Sequence, residues 1–241
     1  MNLIKDKWEE KDKQEFGAFL FSQRKPQQKI DWSKRILQTT KPVYALTSKE
    51  MGAIAKQILQ GNAESFLKIK CFESFESSII YIAVLNSLFL DFDLFLFYFE
   101  IYLKNIDCWA HTDSVSFDKL AKHKQKILNL SDKLLQSNSM IERRMALIIL
   151  LKFCSDEQVA LKTFETLNKL PFETEYYVNM AGAWLLCECF VKHRNLTAKY
   201  FETHKTNKQI INLAIQKCRD SFRVSKEDKE WLLQFKIKNK R

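Results

Sequence analysis

Glycine and proline are scarce in this sequence, with 4 Gly and 3 Pro among 241 residues. A β-sandwich or β-barrel needs many tight turns, which use both residue types, so the composition argues against an all-β fold. The chain also lacks the glycine-rich loops GxGxxG and GxxxxGK[ST], which argues against a doubly wound nucleotide-binding sheet. Hydrophobic residues make up 46% of the chain, enough to form a substantial core rather than a disordered chain.

The six cysteines show no CxxC spacing, and most of them lie in apolar runs, as buried free thiols do. This usage is typical of a reducing compartment, and the N-terminus has no apolar stretch of the signal-peptide kind, so we expect a cytoplasmic protein. The most hydrophobic stretch, 88–103, carries three acidic residues, and we expect no membrane association. Cys187, Cys189 and His193 are spaced unfavourably for metal binding on a helix. We expect neither a metal nor another cofactor.

Positive charge is concentrated in the C-terminal part of the chain. Residues 101–241 carry 25 basic and 16 acidic side chains, a net charge of +9, whereas the whole chain carries +10. A basic region of this kind indicates a polyanionic partner, of which nucleic acid is the usual one. The alternative is a solvated surface, because most of the basic residues are lysines.

Apolar residues recur with helical spacing along most of the chain. The stretch 7–22 fits one helix, whereas 23–46 contains Pro26 and Pro42 and accommodates at most a short helix near 32–37. Phe95, Phe97 and Phe99 alternate, but the residues between them are apolar too, so a buried helix fits as well as a strand. Thr47 or Ser48 can cap a helix that Gly61 then ends. Further helices are predicted at 62–71, 74–87, 92–104, 116–136, 139–154, 156–169, 174–192, 196–204, 206–222 and 225–238.

An internal repeat is visible in the second half of the chain. Ala146, Ala181 and Ala214 are 35 and 33 residues apart, and each lies in a predicted helix that is followed by another amphipathic helix. A period in the mid-thirties built from helix pairs predicts an all-α, superhelical α-solenoid of antiparallel HEAT-like pairs, of the ARM/HEAT type. We expect one monomeric domain over 1–241, with an irregular, one-helix segment at 1–46 and stacked pairs over 47–238.

Trp109 and Asp113 form the most informative pair of candidate site residues. They are four residues apart, so on a helical turn they share a face. An aromatic ring beside a carboxylate suits a cationic ligand or a cationic transition state. The alternative is a core tryptophan and a helix-capping aspartate.

Basic residues after this pair are spaced to follow phosphates. Lys119, Lys122 and Lys126, together with His123 and Lys133, would lie on one side of the predicted helix 116–136. An ordinary amphipathic surface helix would look the same. Arg143 and Arg144 fall in the first turn of the next helix, where cations oppose the helix dipole. Either a bound phosphate or an intramolecular salt bridge would offset that charge.

Tyr177 and Trp184 are seven residues apart on one face of a predicted helix, with Ala181 and Gly182 leaving open space between them. They are a second candidate aromatic site, or else a core aromatic pair.

Taken together, these blocks resemble the HEAT-like-repeat DNA alkylation repair family, the AlkC/AlkD-type DNA glycosylases. The resemblance covers about 33–238, and the order and spacing of its blocks are fairly specific. The matching blocks are Asp107-Cys-Trp109-Ala-His-Thr-Asp113, Glu142-Arg-Arg144-Met-Ala-Leu-Ile148, Tyr177-Val-Asn179-Met-Ala-Gly-Ala-Trp184-Leu and Ala214-Ile-Gln216-Lys, with Ser221-Phe-Arg223-Val-Ser near the end.

The resemblance implies a basic concave surface that holds duplex DNA. It further implies a monofunctional N-glycosylase that excises purines alkylated at N3 or N7, with Asp113 as the catalytic carboxylate. Trp109 and Trp184 would flank the lesion, and Arg144 would contact the DNA backbone. The alkylated base is already cationic, so Asp113 would stabilise the developing oxocarbenium sugar and orient a water.

One departure from the family pattern concerns the N-terminal region. Active members carry an extra N-terminal helix that contacts the lesion, whereas 23–46 resembles a subgroup in which that helix is reduced. The alternative function is therefore a catalytically inactive HEAT-repeat scaffold that binds DNA or a protein, and a third is an RNA-binding helical scaffold.

Overall fold

The computed structural model describes residues 1–88, 90–170 and 172–237. Within these ranges the protein is all-α, as predicted, with fourteen α-helices, two short 3-10 helices and no strand. The chain divides into two compact units, Met1–Lys124 and Gln125–Arg241. No helix in the described ranges is both long and apolar enough to cross a bilayer. The single domain predicted for 1–241 stays a prediction.

The first unit is built around one buried helix, α5, which packs against α1, α3, α4, α6 and a 3-10 helix. In α6, Phe95 and Phe99 are buried while Phe97 is 55% exposed, so the alternating phenylalanines belong to a helix rather than a strand. The helices are α1 (Glu10–Ser22), α2 (Gln27–Leu37), α3 (Ser48–Ile58), α4 (Ala63–Lys68), α5 (Phe75–Ser87), α6 (Phe92–Leu103) and α7 (Trp109–Asp113), followed by the 3-10 helix Asp118–His123.

Helix α2 is longer than the sequence predicts. A short helix near 32–37 was the most that the prolines were expected to allow, but the helix begins at Gln27, directly after Pro26. A proline at the start of a helix costs nothing, because its missing N–H would have no partner there. The helix ends where Gln38 adopts a left-handed backbone conformation with φ 54°. The segment 1–46 therefore contains two helices, α1 and α2, rather than one.

The single helix predicted over 116–136 is also wrong. Residues Asp118–His123 form a 3-10 helix, and an α-helix starts only at Lys124. Leu120 leaves helical geometry (φ −111°, ψ 15°), and both Phe117 and Leu120 are buried. The non-helical backbone at Leu120 interrupts the predicted α-helix at a point where both apolar side chains pack in the core.

Gly61, which was predicted to end α3, lies three residues beyond its last residue. Helix α3 ends at Ile58, its N-terminus is capped by Thr47, and no glycine has a positive φ in the described ranges. A Cβ at Gly61 would lie 2.4 Å from the carbonyl oxygen of Lys5, and the neighbouring Asn62 N–H donates to that oxygen at 2.7 Å. Glycine is needed here because two backbone segments approach closely.

The second unit repeats helix pairs. Side-chain oxygens of Ser139, Asp156, Asn207 and Ser225 accept N–H bonds at four helix N-termini. The predicted helix 225–238 ends its α-helical part at Leu232, and residue 238 lies outside the described ranges. The helices are α8 (Lys124–Leu135), α9 (Met140–Phe153), α10 (Glu157–Asn168), α11 (Tyr176–Lys192), α12 (Arg194–Thr203), α13 (Lys208–Asp220) and α14 (Lys226–Leu232), followed by the 3-10 helix Leu233–Phe235.

The predicted alanine repeat coincides with the packing of this unit. Helix α11 packs against both α9 and α13, and each of these three helices is followed by a partner helix that contacts it. Ala146, Ala181 and Ala214 occupy these three helices and are at most 1% exposed. Small side chains at these positions let neighbouring helices approach closely. The helix pairing is thus observed, and the superhelical stacking of the pairs stays a prediction.

Candidate functional site

Trp109 and Asp113 are the first and last residues of the short helix α7, and both are half-buried. They therefore lie one turn apart, as their spacing predicts. The indole N–H of Trp109 donates to the backbone carbonyl of Ile36 at 3.2 Å, so the tryptophan is held against the last turn of α2. The hydroxyl of Thr112 lies 3.3 Å from Oδ1 of Asp113.

Asp107 fastens the loop after α2 to the start of α7. Its carboxylate accepts hydrogen bonds from the hydroxyls of Thr39 and Thr40, both at 2.7 Å, and from the Thr40 N–H at 2.7 Å. Burial is the largest single influence on the pKa of Asp107 and raises it, but the hydrogen bonds from His111, Thr39 and Thr40 together hold that pKa well below its usual range. Asp107 is thus a charged anchor that sets α2 against α7.

Asp107, Cys108 and His111 bring one potential metal-ligand atom each within 4.8 Å of one another. His111 Nδ1 lies 3.3 Å from Cys108 Sγ and 3.4 Å from Asp107 Oδ1. The Asp107 carboxylate is already committed to the two threonines. The three side chains thus form a hydrogen-bonded anchor at the start of α7.

A cleft of about 270 Å³ opens beside Trp109 in the first unit. Its lining comes from α2, α3, α5 and α7 and includes the buried carboxylate of Glu76. Burial raises the pKa of Glu76 against the opposing effect of backbone hydrogen bonds from the loop 44–46. Glu76 does not stand out in the sequence, because the helix dipole commonly favours an acidic residue in the first turn of a helix.

Arg143, in the second unit, forms the intramolecular salt bridge that the sequence left open. Its Nε and Nη2 donate to the two carboxylate oxygens of Glu173 at 2.7 and 3.2 Å. Its Nη1 donates to the carbonyl oxygens of Ser137 and Asn138. The Glu173 side chain is only 5% exposed. Burial raises the pKa of Glu173, but hydrogen bonding to Arg143 and to backbone N–H groups outweighs burial and lowers it overall.

Arg144 is 3% exposed, and its Nη1 donates to the carbonyl oxygen of Tyr177 at 2.6 Å. The guanidinium therefore links the start of α9 to the first turn of α11. Arginine suits this position, because its guanidinium can donate to a backbone carbonyl at the helix start while its aliphatic part packs in the core.

Tyr177 and Trp184 lie seven residues apart on α11 and are both half-buried. The open space expected between them is absent. Ala181 is 1% exposed, and a Cβ on Gly182 would lie 3.1 Å from Ile210 Cδ1. The neighbouring helix α13 fills that volume. On the same helix, the Glu188 carboxylate pairs with Arg223, and the hydrogen bonds from Arg223 are the main reason that the pKa of Glu188 is lowered.

The predicted lysine stripe is divided between different elements. Lys119 and Lys122 are exposed on the 3-10 helix, three residues apart and therefore on the same side of it. Lys126 is exposed on α8, together with Lys133 seven residues later. The continuous α-helical spacing that defined the stripe does not hold across 119–133.

The family model described as "DNA alkylation repair enzyme" matches residues 20–217. The chain belongs to the DNA alkylation repair enzyme family. A comparison with curated proteins finds no match. The matched range begins within α1 and extends into α13. It therefore includes α2 and every candidate site residue from Trp109 to Trp184. The chain is therefore a DNA alkylation repair protein, and the family resemblance found in the sequence is confirmed.

Proposed function

We propose that the protein is a monofunctional DNA N-glycosylase that excises purines carrying a positive charge from alkylation at N3 or N7. The observation that supports the proposal is the placement of Trp109 and Asp113 one turn apart on α7, both half-buried. A cationic base is a good leaving group without protonation, so the site needs no general acid. It needs a negative group beside the sugar and an apolar face for the cation.

In this proposal Asp113 stabilises the oxocarbenium character that develops on the sugar and orients the attacking water, while Trp109 offers its π face to the cationic nucleoside. Helix α2 supports the site, because Ile36 accepts the Trp109 indole hydrogen bond and fixes the ring orientation. The length of α2 also supports the proposal, because the segment 23–46 was expected to hold at most a short helix near 32–37.

We propose different roles for the other candidate residues. Trp184, Tyr177 and the exposed Lys119, Lys122 and Lys126 are proposed to contact duplex DNA, the lysines through phosphates. Arg144 and Arg143, which bond within the second unit, are proposed to hold the starts of α9 and α11 in place. Both arginines thus bond to groups of the protein itself. This observation favours a second candidate function, that of a scaffold that binds DNA without cleaving the glycosidic bond.

The test is base release from duplex DNA that carries 7-methylguanine. The glycosylase proposal expects free 7-methylguanine and abasic sites, with no strand cleavage until the DNA is treated with alkali. The scaffold proposal expects binding of duplex DNA, weakened by added salt, with no release above an enzyme-free reaction. The same salt titration with single-stranded RNA separates both from an RNA scaffold.

A further inference from the structure

The cleft beside Trp109 has the composition of a small ligand pocket. Ligand pockets commonly measure about 300–1,000 Å³, so a volume of about 270 Å³ suits one small ring system. Trp32 is 58% exposed, and its indole lines the cleft together with that of Trp109. Most of the remaining lining is apolar, and it includes Ile36, Met51 and Ile79.

One buried polar group lines this cleft with half of its hydrogen-bonding capacity unused. Glu76 is fully buried, and its Oε1 accepts the N–H groups of Tyr44 at 2.9 Å and Leu46 at 3.4 Å. Ala45, between these donors, is held at φ 60°, a left-handed conformation that is unusual for alanine. Among the residues that the structure describes, no group donates to Oε2 of Glu76. A buried carboxylate oxygen without a donor is costly, and a bound group that donates to it would relieve that cost.

We propose that this cleft binds a single purine-type base, whose N–H groups donate to Oε2 of Glu76 while its ring contacts Trp32 and Trp109. The choice of a nucleobase rests on the proposed DNA function; the acceptor and the aromatic lining are independent of it. An apolar side chain from a protein partner would fill the cleft but would leave Oε2 without a donor. A flat ring with N–H groups on one edge satisfies both the acceptor and the indole rings.

Two purines that share a 7-methyl group test the proposal by equilibrium dialysis against the intact protein. 7-Methylguanine carries N–H donors, whereas caffeine has none. We expect wild-type protein to bind 7-methylguanine at least about tenfold more tightly than caffeine, because only 7-methylguanine can donate to Oε2 of Glu76. Equal affinities, or no saturable binding of 7-methylguanine, would overturn the proposal.

Variants assign the preference to named residues. Glu76→Gln places an amide N–H₂ where Oε2 stood, so it is expected to weaken 7-methylguanine binding about tenfold and leave caffeine binding unchanged. Trp32→Ala is expected to weaken both ligands at least about fivefold, because it removes a ring contact. Phe97→Ala, an exposed aromatic on α6, is the matched control and is expected to change neither.

The outcomes separate this proposal from the glycosylase. If Glu76→Gln keeps a native circular dichroism spectrum and still prefers 7-methylguanine, the assignment of Glu76 is wrong. If that variant does not fold, the proposal is tested by the ratio of the wild-type affinities for 7-methylguanine and caffeine, together with the effect of Trp32→Ala. Binding of the free base involves no bond cleavage. A protein that binds 7-methylguanine but releases none from DNA would therefore contradict the proposed glycosylase activity and support the proposed base-binding cleft.

Discussion

The indole N–H of Trp109 donates to the carbonyl oxygen of Ile36 at 3.2 Å, and this bond joins the candidate site on α7 to helix α2. The two residues are 73 positions apart, and Ile36 belongs to a segment, 23–46, that was predicted to hold at most a short helix. The last carbonyls of a helix have no partner within that helix, so an external donor stabilises its C-terminus. The position of the ring and the integrity of α2 therefore depend on each other.

Trp109→Phe keeps an aromatic ring but removes this donor. We expect the free energy of unfolding to fall by about 0.5–1.5 kcal/mol, the usual net value of one hydrogen bond. Urea unfolding measures the change. Trp32→Phe is the control, since Trp32 is largely exposed on α2, and we expect it to change stability by less than about 0.5 kcal/mol. Equal losses in both variants would show that the bond to Ile36 contributes nothing.

Arg143→Ala removes the partner of a buried carboxylate. We expect a loss of about 3–5 kcal/mol in the free energy of unfolding, because Glu173 would remain buried without its charged partner. Arg219→Ala, on the exposed side of α13, should change stability by less than about 0.5 kcal/mol. A loss for Arg143→Ala that is no larger than this control would mean that the salt bridge is incidental.

The pH dependence of that loss follows from the lowered pKa of Glu173. A carboxyl group whose pKa is lowered on folding contributes stability above its unfolded pKa, near 4.5, and loses that contribution as pH falls through the lower folded pKa. The difference between wild type and Arg143→Ala should therefore be largest at pH 7 and shrink below about pH 4.5. A difference that stays constant over this range would contradict the assigned charge state.

Gly182→Ala tests the close approach of α11 and α13. An added Cβ would lie 3.1 Å from Ile210 Cδ1 and 3.2 Å from Leu167 Cδ2, so side chains on two sides must shift. We expect the variant to lose about 1 kcal/mol of stability, since the 1–3 kcal/mol cost of overpacking exceeds the gain in helix propensity.

Gly52→Ala on α3 is the matched control, because an added Cβ there would meet nothing within 4 Å. It should raise stability by about 0.5–1 kcal/mol through helix propensity alone. Thermal or urea unfolding of both variants gives the comparison. If both substitutions stabilise the protein, the packing of α11 against α13 is looser than described.

Local signals in the sequence were enough to predict most helices. The Thr47–Glu50 cap marked the start of α3, and the apolar residues around Phe97 marked α6. The length of α2 was predicted wrongly because the effect of a proline depends on its position. A proline breaks a helix from inside, but it is tolerated at the helix start, where Pro26 lies.

The parts of the candidate site that could not be predicted are contacts between distant segments. Arg143 and Glu173 are 30 residues apart, and Glu76 receives its donors from a loop about 30 residues earlier. Residue type and local spacing carry no information about such pairs. The Trp109–Asp113 pair could be found because its two members lie within one helical turn.

Single-turnover release of 7-methylguanine by wild type and Asp113→Asn tests the central claim most directly. Asn keeps the size of the side chain but removes its charge, and Asp118→Asn on the adjacent 3-10 helix is the matched exposed control. We predict that Asp113→Asn slows release by about 10²–10³-fold, the usual cost of losing one electrostatic stabiliser, while Asp118→Asn matches wild type. Wild-type release that is indistinguishable from an enzyme-free reaction, or equal rates for Asp113→Asn and wild type, would contradict the assignment of Asp113 as the catalytic carboxylate.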